Sequence, residues 1–149
     1  MTQEDKQLLF KDICARLPYG VKINIYDDYS GTMKDEELNA FHINSIYNIE
    51  YRKLRPYLRS MSSMSKEEAI EMLSTIINTD GIIGYKLEKD KFKFIFKSGT
   101  GHFGGFTIIF FNTIYCLKQF DWLNTHHFDY RGLIEKGLAI EAPEGMYKN

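Results

Sequence analysis

A chain of 149 residues with 44% hydrophobic and 26% charged side chains is long enough to bury a core without disulfide or metal staples, and too apolar to stay disordered. Nineteen basic against twenty acidic residues leave a net charge of −1, which excludes a global electrostatic pull toward nucleic-acid backbones or anionic membranes. Met1–Lys6 leads straight into charged, helix-forming sequence, and no apolar run reaches the ~18 residues of a membrane span, so a soluble, cytoplasmic protein is expected.

Thr2 with Asp5 reads as a capping start, and Leu8, Leu9, Ile13 and Leu17 recur at helical spacing with Phe10 on the flank. A helix from about Gln3 to Arg16 follows, ended by Pro18-Tyr-Gly20. Val21–Tyr26 alternates as a half-buried strand does, and Asp27–Gly31 is turn chemistry. Leu38–Ile43 and Ile46–Leu54 carry further strand signals, weakened by Asn39, Asn44 and Asn48. Residues 21–60 are therefore expected to form a small curled sheet or an SH3-like barrel. Pro56 and Ser60–Ser65 read as a loop, and Ser65 with Glu68 as a capping box opening a helix to Ile77 or Asn78. Its buried face is expected to carry Ala69, Ile70, Leu73, Ile76 and Ile77.

The clearest β signal is the hairpin of Ile82–Leu87 and Lys91–Lys97, in which Phe92, Phe94 and Phe96 share one face and Lys91, Lys93 and Lys97 the other. Phe106–Phe111, almost wholly apolar, predicts a central third strand. Asn112 is expected to cap a last long helix with Ile114, Leu117, Phe120, Leu123 and Asn124 on one side, followed by a short helix from Tyr130 to Lys136 stopped by Gly137. No repeat or Pro- or Gly-rich linker divides residues 1–149. The expectation is a single α+β domain, with three to four helices flanking a mostly antiparallel sheet and an interior rich in rings, since Phe, Tyr and Trp make up 15% of the chain.

Reactive side chains concentrate in Asp121–Ile134. His126, His127 and Asp129 supply ligand types for a metal, yet adjacent histidines diverge by roughly 100° on a helix and no His-x3-His spacing exists, so no metal and no cofactor is expected. One histidine is instead expected to end the long helix and favour its negative pole, the other to be exposed. Asp129 reads as the N-cap of the short helix, and Arg131 as an answer to Asp121 or Glu135. Trp122, His126, His127, Tyr130 and Arg131 are also the residue types enriched at interface hot spots, which makes this corner the candidate partner-binding surface. Arg52, Lys53, Arg55 and Arg59, interleaved with Tyr51 and Tyr57, form the alternative site, a local patch for single-stranded nucleic acid. Gly99-Thr-Gly-His-Phe-Gly104 fits a phosphate-loop pattern, but a β run follows where a dinucleotide fold needs a helix, and a flexible loop is expected. Cys14 and Cys116 lack disulfide or zinc spacing and read as reduced, buried packing residues.

Three islands, Ile13–Val21, Leu54–Met64 and Asp121–Tyr147, together resemble a family of small proteins of gut Bacteroidales and their phages or prophages. Arg55 and Ser60 depart from the lysine and proline of that pattern. The resemblance implies an intracellular bacterial or phage setting and carries over no site residue. The expected function is therefore a non-catalytic interaction or accessory protein with a protein partner. Weak nucleic-acid binding is the alternative, and a metal- or nucleotide-dependent enzyme comes last. The sequence sets no oligomeric state.

Overall fold

The computed structural model describes residues 1–27, 29–46, 54–75, 82–88, 91–98, 105–112 and 117–147, with 44–46, 82–88, 91–98 and 105–112 described by their backbone. Helices and mostly antiparallel strands make it an α+β protein. It forms two compact units, one of Met1–Met61 with Asn124–Asn149 and one of Ser62–Leu123. Among the described residues no helix is long and apolar enough to cross a membrane.

The first unit opens with α1, Gln3–Arg16, whose capping box is complete: Asp5 N–H donates to Thr2 Oγ1 and Thr2 N–H to the Asp5 carboxylate, both at 3.1 Å. Leu9 and Ile13 are buried on its inner face, each contributing on the order of 2 kcal/mol. A 3-10 turn, Leu17–Tyr19, leads to β1 (Lys22–Asp27) and β2 (Thr32–Glu37), an antiparallel hairpin. Gly31 takes φ 68°, a left-handed conformation suited to glycine, and its N–H closes the turn onto Asp27 O at 2.9 Å. All six residues of β2 are exposed, so it has no apolar alternation for the sequence to display.

A helix, α2 (Ala40–Ile46), occupies the place of the strand expected at 38–43. Asn39 decides this: its side-chain carbonyl accepts the N–H groups of Phe41 and His42 at 3.0 and 3.3 Å, which starts a helix. Residues 47–53, and with them most of the strand expected at 46–54, lie outside the described residues. The expected loop at Pro56 is a strand, β3 (Leu54–Leu58), and the sheet is open, in the order β2-β1-β3-β7, not an SH3-like curl. Pro56 faces Ile23 across the antiparallel pair. Lacking an N–H, it fits only a non-hydrogen-bonded pair, which aims its nitrogen away from β1. The strand β7 (Ile140–Glu141) joins β3 in parallel from Tyr57 onward, beyond that nitrogen.

Residues 124–147 hold the end of β3 from both edges. Arg59 donates its N–H to His127 O and accepts from Asp129 N–H, both at 2.8 Å, while Ala142 N–H donates to Leu58 O at 2.8 Å. Successive residues of a strand aim their backbone groups at opposite edges, so Leu58 and Arg59 are gripped from opposite sides. The helix expected at 130–136 is a run of turns. Asp129 takes the N–H groups of Leu133 and Ile134 on its two oxygens at 2.9 and 2.8 Å. Gly137 (φ 67°) closes the far end with Gly137 N–H on Ile134 O and Leu138 N–H on Leu133 O, a Schellman pattern. Capping from both ends uses up the segment before a helix can extend. The core beneath is Leu9, Ile13, Val21, Ile23, Leu38, Leu54, Leu58, Leu133, Leu138 and Ala139, with Phe10 and Tyr147 packed against it; most phenylalanine side chains of the expected ring-rich interior, those between 92 and 111, lie outside what the structure describes. Cys14, expected inside, is exposed; Cys116 lies outside the described residues.

The second unit holds α3 (Lys66–Ser74), opened by the expected Ser65–Glu68 capping box, and buries Ala69, Met72 and Leu73. Its antiparallel sheet has β4 (Ile82–Glu88), β5 (Lys91–Ser98) and β6 (Gly105–Asn112) in the order β4-β5-β6. The apolar strand β6 thus lies at an edge of the described sheet, with Asn112 paired to Lys91; the cap expected of its side chain lies outside what the structure describes. The helix α4 (Leu117–Thr125) turns Gln119, Trp122 and Leu123 inward and leaves Leu117 exposed, reversing part of the face expected from the sequence. Residues 76–81, 99–104 and 113–116 lie outside the described residues, and with them the expectations for Ile76, Ile77, Ile114 and the Gly99–Gly104 loop.

Candidate functional site

The polar residues of the carboxyl-terminal tract meet a carboxylate that sequence reasoning passed over. Asp12 and Arg16 are both 0% exposed and form a two-pronged pair, Nε–Oδ2 2.7 Å and Nη2–Oδ1 3.2 Å. Arg131 Nε approaches Asp12 Oδ1 at 3.2 Å, an ion-pair distance without hydrogen-bond alignment. Arg131 therefore answers Asp12, not Asp121 or Glu135. Arg16 also donates through Nη2 to Phe128 O at 2.7 Å, which ties α1 to the residue that follows the gripped His127.

Tyr130 is wrapped by the same cations. The guanidinium carbons of Arg16 and Arg131 lie 5.4 and 4.9 Å from its ring centroid. Its hydroxyl donates to Asn124 Oδ1 at 3.0 Å and accepts from Arg131 Nη2 at 3.1 Å. Arg59, from the end of β3, lies over the Phe128 ring at 4.2 Å. Two guanidiniums, those of Arg16 and Arg131, thus meet the buried Asp12 carboxylate, and the Arg59 guanidinium lies on the neighbouring Phe128 ring.

His127 sits among these charges in a left-handed conformation, φ 59°, that non-glycine residues seldom adopt. Its ring is buried and stacked on Tyr147, centroids 3.8 Å apart. Burial first, then the neighbouring Arg16, His126 and Arg59, push its pKa down to about 4. The imidazole is neutral near pH 7, so it does not serve as a cation at the helix end. The Tyr147 hydroxyl accepts Lys22 N–H and donates to Tyr57 O, both at 2.9 Å. It stands where β1 and β3 would otherwise continue their ladder and supplies the missing rung. Burial pushes its pKa up to about 12, so it stays a donor.

Of the expected contact residues, His127 is inside, His126, Tyr130 and Arg131 are half-buried, and Trp122 is 8% exposed. Trp122 belongs to the second unit, where its Nε1 donates to Glu71 at 3.2 Å. The corner is therefore not an exposed hot spot as it stands. Asp129 is spent on two backbone amides, and among the described residues no three His, Cys, Asp or Glu side chains converge as metal ligands do.

In the basic patch, Arg52 and Lys53 lie outside the described residues, Arg55 is exposed and Tyr57 half-buried. An acid lies within the patch: Tyr57 donates its hydroxyl to Asp35 at 2.9 Å, and Asp35 also receives Asn24 Nδ2 at 2.7 Å. The exposed rings lie elsewhere. Tyr29 is 101% exposed at the β1–β2 turn, Phe41 74% exposed on α2, and Met33 is exposed on β2. Their supports are fixed. Asp27 accepts from Tyr29 N–H and Ser30 Oγ at 3.0 and 2.8 Å and pairs with Lys34. In α2, His42 Nδ1 accepts Asn39 N–H at 3.1 Å, which leaves the proton on Nε2 to reach Glu36 of β2 at 3.2 Å. Comparison with protein families, curated proteins and solved structures finds no match for this chain.

Proposed function

We propose that the chain is a non-catalytic interaction protein whose contact surface surrounds the β2 edge, with Tyr29, Met33 and Phe41 as its apolar anchors. The observation that carries this reading is the exposure of these three side chains on hydrogen-bonded supports, while the chemistry-bearing residues of the carboxyl-terminal tract are engaged with one another. A tyrosine held out on a tied turn loses little freedom when it docks, which favours its use as an anchor. The bacterial or phage, intracellular setting implied by the three islands is part of the same proposal and identifies the lysate in which to seek the partner.

A Tyr29→Ala/Phe41→Ala double variant is expected to lose at least about tenfold in partner capture, as hot-spot truncation does, with its unfolding midpoint unchanged. Undiminished capture of the same partner would overturn this surface. Nucleic-acid binding through Arg52, Lys53, Arg55, Tyr57 and Arg59 is the second reading. The acid beside Tyr57 and the Arg59 contact with Phe128 weigh against it. Salt-sensitive oligonucleotide binding that disappears in an Arg52/Arg55/Arg59 triple alanine variant would favour it over the first.

A further inference from the structure

Strand β2 is the outer strand of the described four-stranded sheet, and none of its residues is buried. Leu38 N–H donates to Val21 O at 2.9 Å, next to the pair Lys22–Glu37. Hydrogen-bonded pairs alternate along an antiparallel ladder, so Ile23–Glu36, Ile25–Lys34 and Asp27–Thr32 hold β2 to β1. Met33, Asp35 and Glu37 therefore aim their N–H and C=O groups out of the sheet. The pairing with β1 runs on without a bulge and β2 contains no proline, so these rungs form a continuous template for a further strand.

The side chains decide which strand fits. Lys34 pairs with Asp27, and Lys22 with Glu37 at 3.2 Å. Asp35 is met by Asn24 and Tyr57, and Glu36 by the His42 imidazole. Among the described residues no lysine or arginine pairs with either acid, and as neighbours in a strand they point to opposite faces of the sheet. Arg55 shares the face of Asp35 but stands two strands away, roughly 10 Å between backbones. Met33 adds an exposed apolar group on that same face. A second copy fits poorly. Because the outward groups alternate, two antiparallel copies of β2 pair about a residue, and the registers of greatest overlap set Asp35 or Lys34 against itself.

We propose that the β2 edge receives an extended segment of a partner protein as a fifth strand, with basic residues beside Asp35 and Glu36 and an apolar residue beside Met33. This names the kind of partner for the β2 contact surface and rests on that reading. Backbone bonds to Met33, Asp35 and Glu37 supply affinity, and the two acids supply selectivity.

The test is a titration of the full chain with a blocked peptide, Thr-Val-Thr-Lys-Lys-Thr-Val-Thr, which presents this pattern in either strand direction. It is expected to shift the amide resonances of Met33, Asp35 and Glu37 saturably in nitrogen–proton correlation spectra. A strand turns alternate N–H groups to its neighbour, so N-methylating one alternate set of peptide residues should abolish binding and the other set change it less than about twofold. A peptide with Glu-Glu at its centre should bind at least about fivefold more weakly. Asp35→Asn/Glu36→Gln, which keeps both acceptor oxygens, should remove that preference. Equal effects of the two methylated sets, equal affinity for the two peptides, a preference unchanged in the double variant, or shifts centred elsewhere would each overturn the proposal. So would self-association of the free chain through these three residues, which would assign the edge to a second copy. The peptide reads the edge and not the rings. Undiminished partner capture by the Tyr29→Ala/Phe41→Ala variant would therefore remove the anchors and leave the added strand, whereas capture lost without peptide binding would do the reverse.

Discussion

Asp12→Asn is expected to destabilise the first unit by roughly 3–5 kcal/mol, the range for removing one partner of a buried ion pair. The substitution keeps the shape but removes the charge and turns one of the two acceptor oxygens into an N–H donor facing Arg16, so cavity formation plays no part. Arg16, fully buried, would retain its bond to Phe128 O but lose its counter-charge. Arg131 would lose the same carboxylate. Denaturant unfolding followed by far-ultraviolet circular dichroism measures this as a lower midpoint. An Asp12→Leu/Arg16→Met double variant should recover most of the loss, because an apolar pair of similar volume leaves no uncompensated charge. A loss below about 1 kcal/mol for Asp12→Asn would mean that water reaches the pair and that α1 is not bound to the carboxyl-terminal tract as described.

Acidification should weaken the protein in a window set by His127. Its folded pKa of about 4 lies below the ordinary value of 6.5, so between those values the unfolded chain binds a proton that the folded chain does not. Stability therefore falls as pH drops from about 6.5 to about 4, by up to ~3 kcal/mol from this group, and falls no further on its account below that. His127→Asn retains a residue that tolerates positive φ and removes the titration. Unfolding midpoints measured from pH 7 to pH 4 should thus fall less in the variant than in the parent. Parallel profiles would show that the imidazole is protonated in the fold and that its stack on Tyr147 does not exclude charge.

Parts of this architecture were legible from local chemistry. The Thr2 and Ser65 capping boxes, the Asp27–Gly31 turn and the Ile82–Lys97 hairpin each depend on groups a few residues apart, and all stand as expected. What escaped depends on partners distant in sequence. The strand β2 is exposed on every residue and exists because the hairpin closes it against β1. Pro56 argues against a strand until one knows that its nitrogen faces away from β1 and that β7 begins beyond it. Asn39 weakens a strand only in the way that it caps a helix.

The candidate site was half legible. The composition of Asp121–Ile134 marked it as unusual, and Asp129 as a cap, but Asp12, Arg16 and Tyr147 were missed. A signal for two of them was present. Leu9, Asp12, Ile13 and Arg16 follow the 3-4-7 spacing of a single helix face, so an acid and a base four apart were placed where the core requires apolar groups. A charged pair on the inward stripe of an amphipathic helix announces a buried partner elsewhere. Tyr147 gave no such warning, since its role appears only where β1 and β3 part.

The central claim is that residues 124–147 are a structural clasp on β3 and α1 rather than a reactive surface, and native-state amide hydrogen exchange tests it most directly. The amides of Lys22, Arg59, Asp129, Leu133 and Ala142 bond to or through this segment. They should exchange as slowly as Ile23 and Ile25 of β1, by opening of the whole unit. Exchange orders of magnitude faster at these five positions, with β1 still protected, would contradict the claim and return the tract to the surface as a mobile binding segment.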